Sequence, residues 1–333
     1  MNLHFKKMKM KLSKIINSTK SKIGLSIIAI TITLMACEKT VYFDVDTKED
    51  RLVVTGFFEP DSNINIFIDL SEDPLAIGLE SYGVENATIS ISKNDITLGE
   101  FSNDFNGNYS FSGTTLDAQG GDEIKITASA PGKESVTSTT IIPSAIPLLD
   151  VAIIDTVLVP LSYSYVDEFG NVIYIDTIVP YFNIQLSFND PQGEDYYALK
   201  ITYRDAFSES YTCFNTSDPT FTVNNDYAFG DENENGTTTL CDEVLFTDVT
   251  FENTKKTMQV ELYALNTDFI TDPRFEIELK HVSKDFYLFH VSSRLQQNTG
   301  DNPFGEPVVV YSNIENGFGI FAGFSKSKAI IEL

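Results

Sequence analysis

The chain has 333 residues, of which 42% are apolar and 12% aromatic, with 48 acidic against 23 basic residues and a formal charge of −25. That apolar content suffices for packed cores and excludes an acidic disordered chain. The charge excludes a nucleic-acid partner, because phosphates need clustered Lys and Arg.

Seven lysines between Lys6 and Lys22, with no acidic residue among them, precede an apolar run from Ile23 to Ala36. That run is 14 residues long, and a membrane span needs roughly 20. It therefore reads as a removable export signal. The end of the run, Leu34-Met35-Ala36-Cys37, resembles the bacterial lipoprotein signal, which is cut before the cysteine. The resemblance implies lipid attachment at Cys37 and an outer-membrane, cell-surface location. Removing residues 1–36 takes away seven basic residues and no acidic ones, leaving 16 against 48 and a formal −32. A chain so acidic is repelled by anionic lipid surfaces. Its contact with the membrane is the anchor, and two acyl chains suffice at about 0.8 kcal/mol per buried methylene. Residues 37–50 are polar and read as the tether.

From Arg51 the pattern changes to short runs with period-2 alternation, the mark of half-buried strands. These are Leu52–Phe58, Asn63–Leu70, Ala87–Ser92, Thr97–Phe101, Tyr109–Gly113, Glu123–Ala128 and Ser135–Ile142. Glu59-Pro60-Asp61, Asn106-Gly107-Asn108, Gly120-Gly121-Asp122 and Pro131-Gly132 supply turns between them. So many short strands between residues 51 and 143 predict an immunoglobulin-like antiparallel sandwich. Pro143 and Pro147 disfavour a continuing strand, and the domain boundary is expected there.

A larger β domain with one packed α-helix follows over 148–333. Its expected strands are Leu149–Val159, Val172–Val179, Tyr181–Asn189, Tyr196–Arg204, Thr257–Asn266 and Arg274–Val282, then Pro307–Ser312 and Gly319–Leu333. Between Asp205 and Thr254 lies a long stretch of poor periodicity, of the kind that is functional or disordered when it occurs in a compact domain. Cys213 and Cys241 flank part of it. In an exported protein an even leftover pair is most simply a disulfide. Asp231-Glu232-Asn233-Glu234-Asn235-Gly236 resembles the opening of a calcium loop. Asp231, Asn233, Asn235, Thr237 and Asp242 are the candidate ligands of a structural calcium, with a solvated acidic turn as the alternative. No other cofactor is expected. The helix is predicted from Lys284 to Asn298, capped by Ser283, with Gly300 just past its end. Leu288, Val291 and Leu295, widened by Phe286 and Phe289, form its apolar stripe.

The stretch from Asn302-Pro303-Phe304 to Phe321-Ala322-Gly323, containing Asn313, Gly317 and Gly319, resembles the C-terminal signature of a Bacteroidota lipoprotein family, domain of unknown function 4249. Arg51-Leu52-Val53-Val54-Thr55-Gly56 and the helix before Asn302 are similar to that family too. The resemblance implies an exported, mostly β lipoprotein, often encoded near TonB-dependent outer-membrane transporters, and supplies no catalytic residues. In physical terms Asn313, Gly317 and Gly319 suit a tight turn between two strands, with Phe318, Ile320 and Ala322 facing the core.

No Gly-x-Ser-x-Gly turn, His-Glu-x-x-His helix or phosphate loop occurs. His281 and His290 read as surface or packed residues. The expected function is thus a non-enzymatic, membrane-anchored accessory or ligand-binding subunit of a TonB-dependent transporter. The alternatives are a cell-surface adhesion or structural module and a carboxylate-based glycan hydrolase.

Overall fold

The computed structural model describes residues 50–71, 83–111, 116–206, 209–222, 230–232, 237–263, 272–300 and 308–333. The alternation expected from Leu52 onward is present: in β1 (Leu52–Phe58) every second side chain is buried. β2 (Asn65–Leu70), β3 (Thr88–Lys93), β4 (Ile96–Phe105), β5 (Asn108–Phe111), β6 (Glu123–Ser129) and β7 (Val136–Ile141) complete the N-terminal part. Ile64, Ile66 and Ile68 share one core with Ile89, Ile91, Ile124 and Ile126. This is sandwich packing, in which the inward residues of two layers interdigitate.

The second part contains β8 (Leu148–Val166), β9 (Val172–Asn189), β10 (Tyr196–Arg204), β11 (Glu209–Tyr211), β12 (Phe214–Thr216) and a short helix α1 (Pro219–Thr222). It continues with β13 (Gly230–Glu232), β14 (Thr238–Leu240), β15 (Glu243–Thr247), β16 (Lys255–Tyr263), β17 (Arg274–Val282), the long helix α2 (Lys284–Gly300) and β18 (Phe318–Glu332). β13, β14, β12, β16, β9 and β8 form a six-stranded sheet in that order. The other sheet runs β11-β10-β17-β18-β1-β2-β5-β4-β3-β6-β7, with β15 added on β10. The chain segment at 143–148 separates two cores: the first draws on residues 52–142 plus Ile314 and Phe321, the second on residues 146–333. It does not separate two sheets, because β18 pairs with β17 on one side and with β1 on the other. Residues 49–333 cluster accordingly as one unit.

β18 pairs with β1 in parallel, with Thr55 opposite Ile320 and Phe57 opposite Ala322. Both of its faces are buried. Ile320 and Ala322 pack under α2, and Phe321 enters the first core, stacked on Phe58 at 4.7 Å. Phe318, expected inside, is exposed at the strand's start, where Arg51 lies over its ring. The strand expected at Pro307–Ser312 is absent from residues 308–312. Asn313 explains the difference: its side-chain amide donates to the Phe321 carbonyl (2.8 Å) and its oxygen accepts from the Phe321 N–H (3.0 Å). One side chain thus supplies the hydrogen bonds that a neighbouring strand would otherwise provide.

Val172–Val179 and Tyr181–Asn189, expected as separate strands, are one strand, β9. Pro180 pairs with Leu158 of β8, and among the described residues no strand pairs with it on the other side, so no ladder N–H is called for there. Poor periodicity between Asp205 and Thr254 reflects elements of three to five residues. These still bury Phe214, Phe221, Leu240 and Phe246. Cys213 and Cys241 are disulfide-bonded, 28 residues apart, a closure that stabilises by about 3.6 kcal/mol on the chain-entropy model.

α2 begins as expected, with the Phe286 N–H donating to the Ser283 hydroxyl at 3.3 Å, and it extends to Gly300. Phe286, Tyr287 and Val291 are buried against the sheet. His290 stacks on Phe57, centroids 5.1 Å apart, and touches Phe286. Burial pushes its imidazole down from 6.5 to about 4, helped by Arg294 and Lys280 and opposed by Glu243. A histidine depressed in the folded state contributes stability that is complete above its unfolded pKa and is lost as pH falls from about 6.5 through about 4. At 1.36 kcal/mol per unit this amounts to about 3 kcal/mol by pH 4. His290→Phe should therefore retain about that much more of its pH 7 stability at pH 4 than the wild type, read by urea unfolding at both pH values. Equal losses in the two proteins would contradict the burial-driven shift.

Candidate functional site

The end of β7, the Pro143–Ser144 segment, the loop before β10, the end of β17 and the first turn of α2 surround a cleft of about 490 Å³. Its floor is tied down from both sheet strands behind it. Ser325 on β18 donates to the Pro143 carbonyl at 2.6 Å, and His281 Nδ1 lies 2.8 Å from the Ser144 carbonyl. The other nitrogen, Nε2, lies 2.7 Å from Asp195 Oδ1, and the Tyr197 ring stacks on the imidazole at 5.3 Å. Both nitrogens face oxygen acceptors, so both are committed within the protein. Each nitrogen thus sits within hydrogen-bonding distance of a protein oxygen.

Behind His281, oxygens of Asp190, Asp195 and Asp248 come within 4.8 Å of one another. Burial raises the Asp190 and Asp248 carboxyls above the usual range; the Asp195 charge adds to both shifts, and Asp190 adds to that of Asp248. Burial, followed by the hydrogen bond to Asp190, pushes the Tyr197 phenol far up. An all-oxygen set suits a hard cation, but most of these atoms already have partners. Asp190 accepts from the Tyr197 hydroxyl and from the Asn253 N–H. Asp248 Oδ2 accepts from the Asp195 N–H at 3.1 Å. The trio thus braces the β9–β10 loop, which carries Asp190 and Asp195, against the β15–β16 loop, which carries Asp248.

Two polar atoms at the cleft differ from the rest. Asp195 Oδ2 and Thr140 Oγ1 are buried without a hydrogen-bond partner, and both residues line the cleft. At the mouth, Lys284 pairs with Glu194 at 3.0 Å and lies over the Tyr196 ring. Hydrogen bonds from Tyr196 and Lys284 hold the Glu194 carboxyl below its usual range. Asp195, Thr140, Lys284 and Tyr196 thus line one cleft, two of them with a buried polar atom that has no partner. Such a set suits binding a small polar ligand by hydrogen bonds.

Cys37, the expected lipid attachment, lies outside the described residues, as do Asn233 and Asn235 of the calcium candidate. Asp231 falls in β13, opposite Thr239. Thr237 leads into β14, and Asp242, exposed at a positive φ of 61°, turns the chain toward β15. Asp231, Thr237 and Asp242 are not among the residues that line the cleft. Reading the sequence alone missed Asp190, Asp195, Asp248 and Thr140. They come from β7, the β9–β10 loop and the β15–β16 loop, and no spacing in the sequence links these three segments. His281, expected as a surface or packed residue, is packed, yet its partners lie 86 and 137 residues away.

No curated protein matches the chain. Among solved structures, trypsin-activated alpha-2-macroglobulin from Escherichia coli is similar over 70% of this chain, at 13% identity and a TM-score of 0.20. The chain spans about 14% of that protein's length. A carbohydrate-binding module of the β-sandwich superfamily, studied for promiscuous specificity, is similar over 71% of this chain and 97% of its own, at 9% identity and a TM-score of 0.20. Likeness at that level carries no weight for function. The sequence is decisive where those structures are not: the family model described as Domain of unknown function (DUF4249) matches residues 38–330, and the chain belongs to that family.

Proposed function

We propose that this chain is a non-enzymatic lipoprotein, anchored through Cys37 at the outer membrane, that serves a TonB-dependent transporter as a binding subunit. Its ligand is a small polar molecule held in the cleft around Asp195 and Thr140. The observation that supports this reading is the pair of unpartnered buried atoms, Asp195 Oδ2 and Thr140 Oγ1, at one cleft. Each such atom costs about 1–3 kcal/mol while unpaired, a cost that a ligand with matching hydrogen-bonding groups removes. The commitment of both His281 nitrogens favours binding over catalysis.

Purification of the tagged chain at native expression from detergent-solubilised outer membrane tests the partnership. Recovery of a TonB-dependent transporter in near-equal amount is expected; recovery of the chain alone would overturn it. Thr140→Val should leave that complex intact while lowering uptake of its substrate about tenfold, the loss of one buried hydrogen bond.

A further inference from the structure

The β8–β9 ribbon continues well past the sheet that anchors it. β16 pairs with β9 only over Tyr181–Asn189, whereas β8 and β9 pair with each other out to Val166 and Val172. Among the described residues no other strand pairs with 157–166 or 172–180. A two-stranded ribbon is marginal in water by itself, and one evolved to stand in solvent would carry polar side chains. This one carries mostly apolar side chains, interrupted on one face by Ser162, Ser164 and Asp176. Cross-strand register puts Leu158, Val166, Val172, Tyr174 and Ile178 on one face, all exposed. Val159, Leu161 and Ile175 lie on the other. So many exposed large apolar side chains on one short ribbon mark an interaction site.

The tip is built rather than loose. Asp167 Oδ1 accepts the N–H groups of Phe169 (2.9 Å) and Asn171 (2.8 Å), while Oδ2 accepts the Asn171 side-chain amide at 3.0 Å. Gly170, at φ 81°, closes the turn. This fixed turn holds Phe169 80% exposed, and Tyr174 on the adjoining face is equally exposed. A large aromatic side chain fixed in place before binding loses little entropy on docking, as interface anchors do.

Charge and backbone chemistry select the partner. Between residues 148 and 189 there are five acidic residues and no Lys, Arg or His. Two such ribbons repel each other, as does an anionic lipid surface. Pro160 and Pro180 lack the N–H groups that edge-to-edge strand addition needs, so contact is made by the faces. We infer that the distal β8–β9 ribbon is a docking arm that seats in an apolar groove of a partner protein rimmed by Lys and Arg, with Phe169 as its leading anchor. This goes beyond the cleft and does not depend on what the cleft binds.

The test places photoreactive p-benzoylphenylalanine at Phe169, at Tyr174 or, as a remote exposed control, at Val249, in the full chain at native expression. Irradiation of cells should give adducts at 169 and 174 with one and the same protein, about tenfold above the control, at sites within a groove bordered by basic residues. Phe169→Ser/Tyr174→Ser should lower recovery of that protein about tenfold with a melting temperature within about 2 °C of wild type. Adducts only with lipid or with a second copy, or none above the control, would overturn the docking arm. So would undiminished recovery with the double variant. If the transporter co-purifies equally with wild type and double variant, the arm fails and the proposed function stands. If wild type brings down no transporter, that function fails and the adducts alone decide the arm.

Discussion

Gly319→Ala should cost about 4 kcal/mol or more and leave little folded protein at 37 °C. Gly319 sits at φ 106°, where side chains are strained, and a Cβ built there lies 2.0 Å from the Val54 carbonyl oxygen. That oxygen belongs to β1, the parallel partner of β18, and Val54 is the residue opposite Gly319. Relief requires the two strands to part. Parting them opens the first core at Phe321 and the layer under α2 at Ile320 together, because β18 is buried on both faces. Gly170→Ala is the control: it has a similar positive φ of 81° but nothing within 4 Å, so only backbone strain of about 1–2 kcal/mol applies. Urea unfolding of both variants, or secreted yield where Gly319→Ala does not fold, reads the difference. Comparable stabilities would show that the close approach is not what this glycine serves.

Lys256→Met should cost about 3–5 kcal/mol, and adding Asp218→Asn should restore a large part of it. Lys256 reaches from β16 to both oxygens of Asp218, at 2.7 and 2.9 Å. Each side chain is only 10% exposed. The ammonium also lies over the Phe251 ring at 5.2 Å. Asp218 in turn accepts the Thr220 N–H and starts α1, so the pair fastens the disulfide-closed excursion to the sheet. Removing the cation alone strands a buried carboxylate. The double variant strands no charge, and the amide that replaces the Asp218 carboxylate keeps an oxygen for the Thr220 N–H. Chemical denaturation of the two single variants and the double variant supplies the cycle. Additive losses would mean that the pair is effectively solvated and contributes little.

These two positions differ in how far they could be seen in the sequence. Gly319 stands in a stretch whose asparagine and glycines already announced unusual backbone. What was expected there, a hairpin, differs from what the chain does. The Asn313 side chain takes the place of a strand partner, and the glycine serves a parallel pairing with a strand some 265 residues earlier. Lys256 carried no signal. It occupies a regular position of an amphipathic strand, and only the path of the excursion brings Asp218 to it. The cleft belongs with Lys256: Thr140, Asp195 and His281 meet because β7, the loop before β10 and the end of β17 converge.

Sequence by itself determined the β character, most strand positions, the capped helix, the disulfide and the family, because alternation, capping and spacing are local and repeat over a few residues. Tertiary structure alone decided that β18 joins both halves in one sheet and that Pro180 lies within a strand. It also decided which carboxylates cluster and which apolar strand residues stay uncovered in the β8–β9 ribbon. The physical reason is that burial and pairing depend on where distant segments pack, and alternation along a strand is the same whether a neighbour covers its faces or leaves them open.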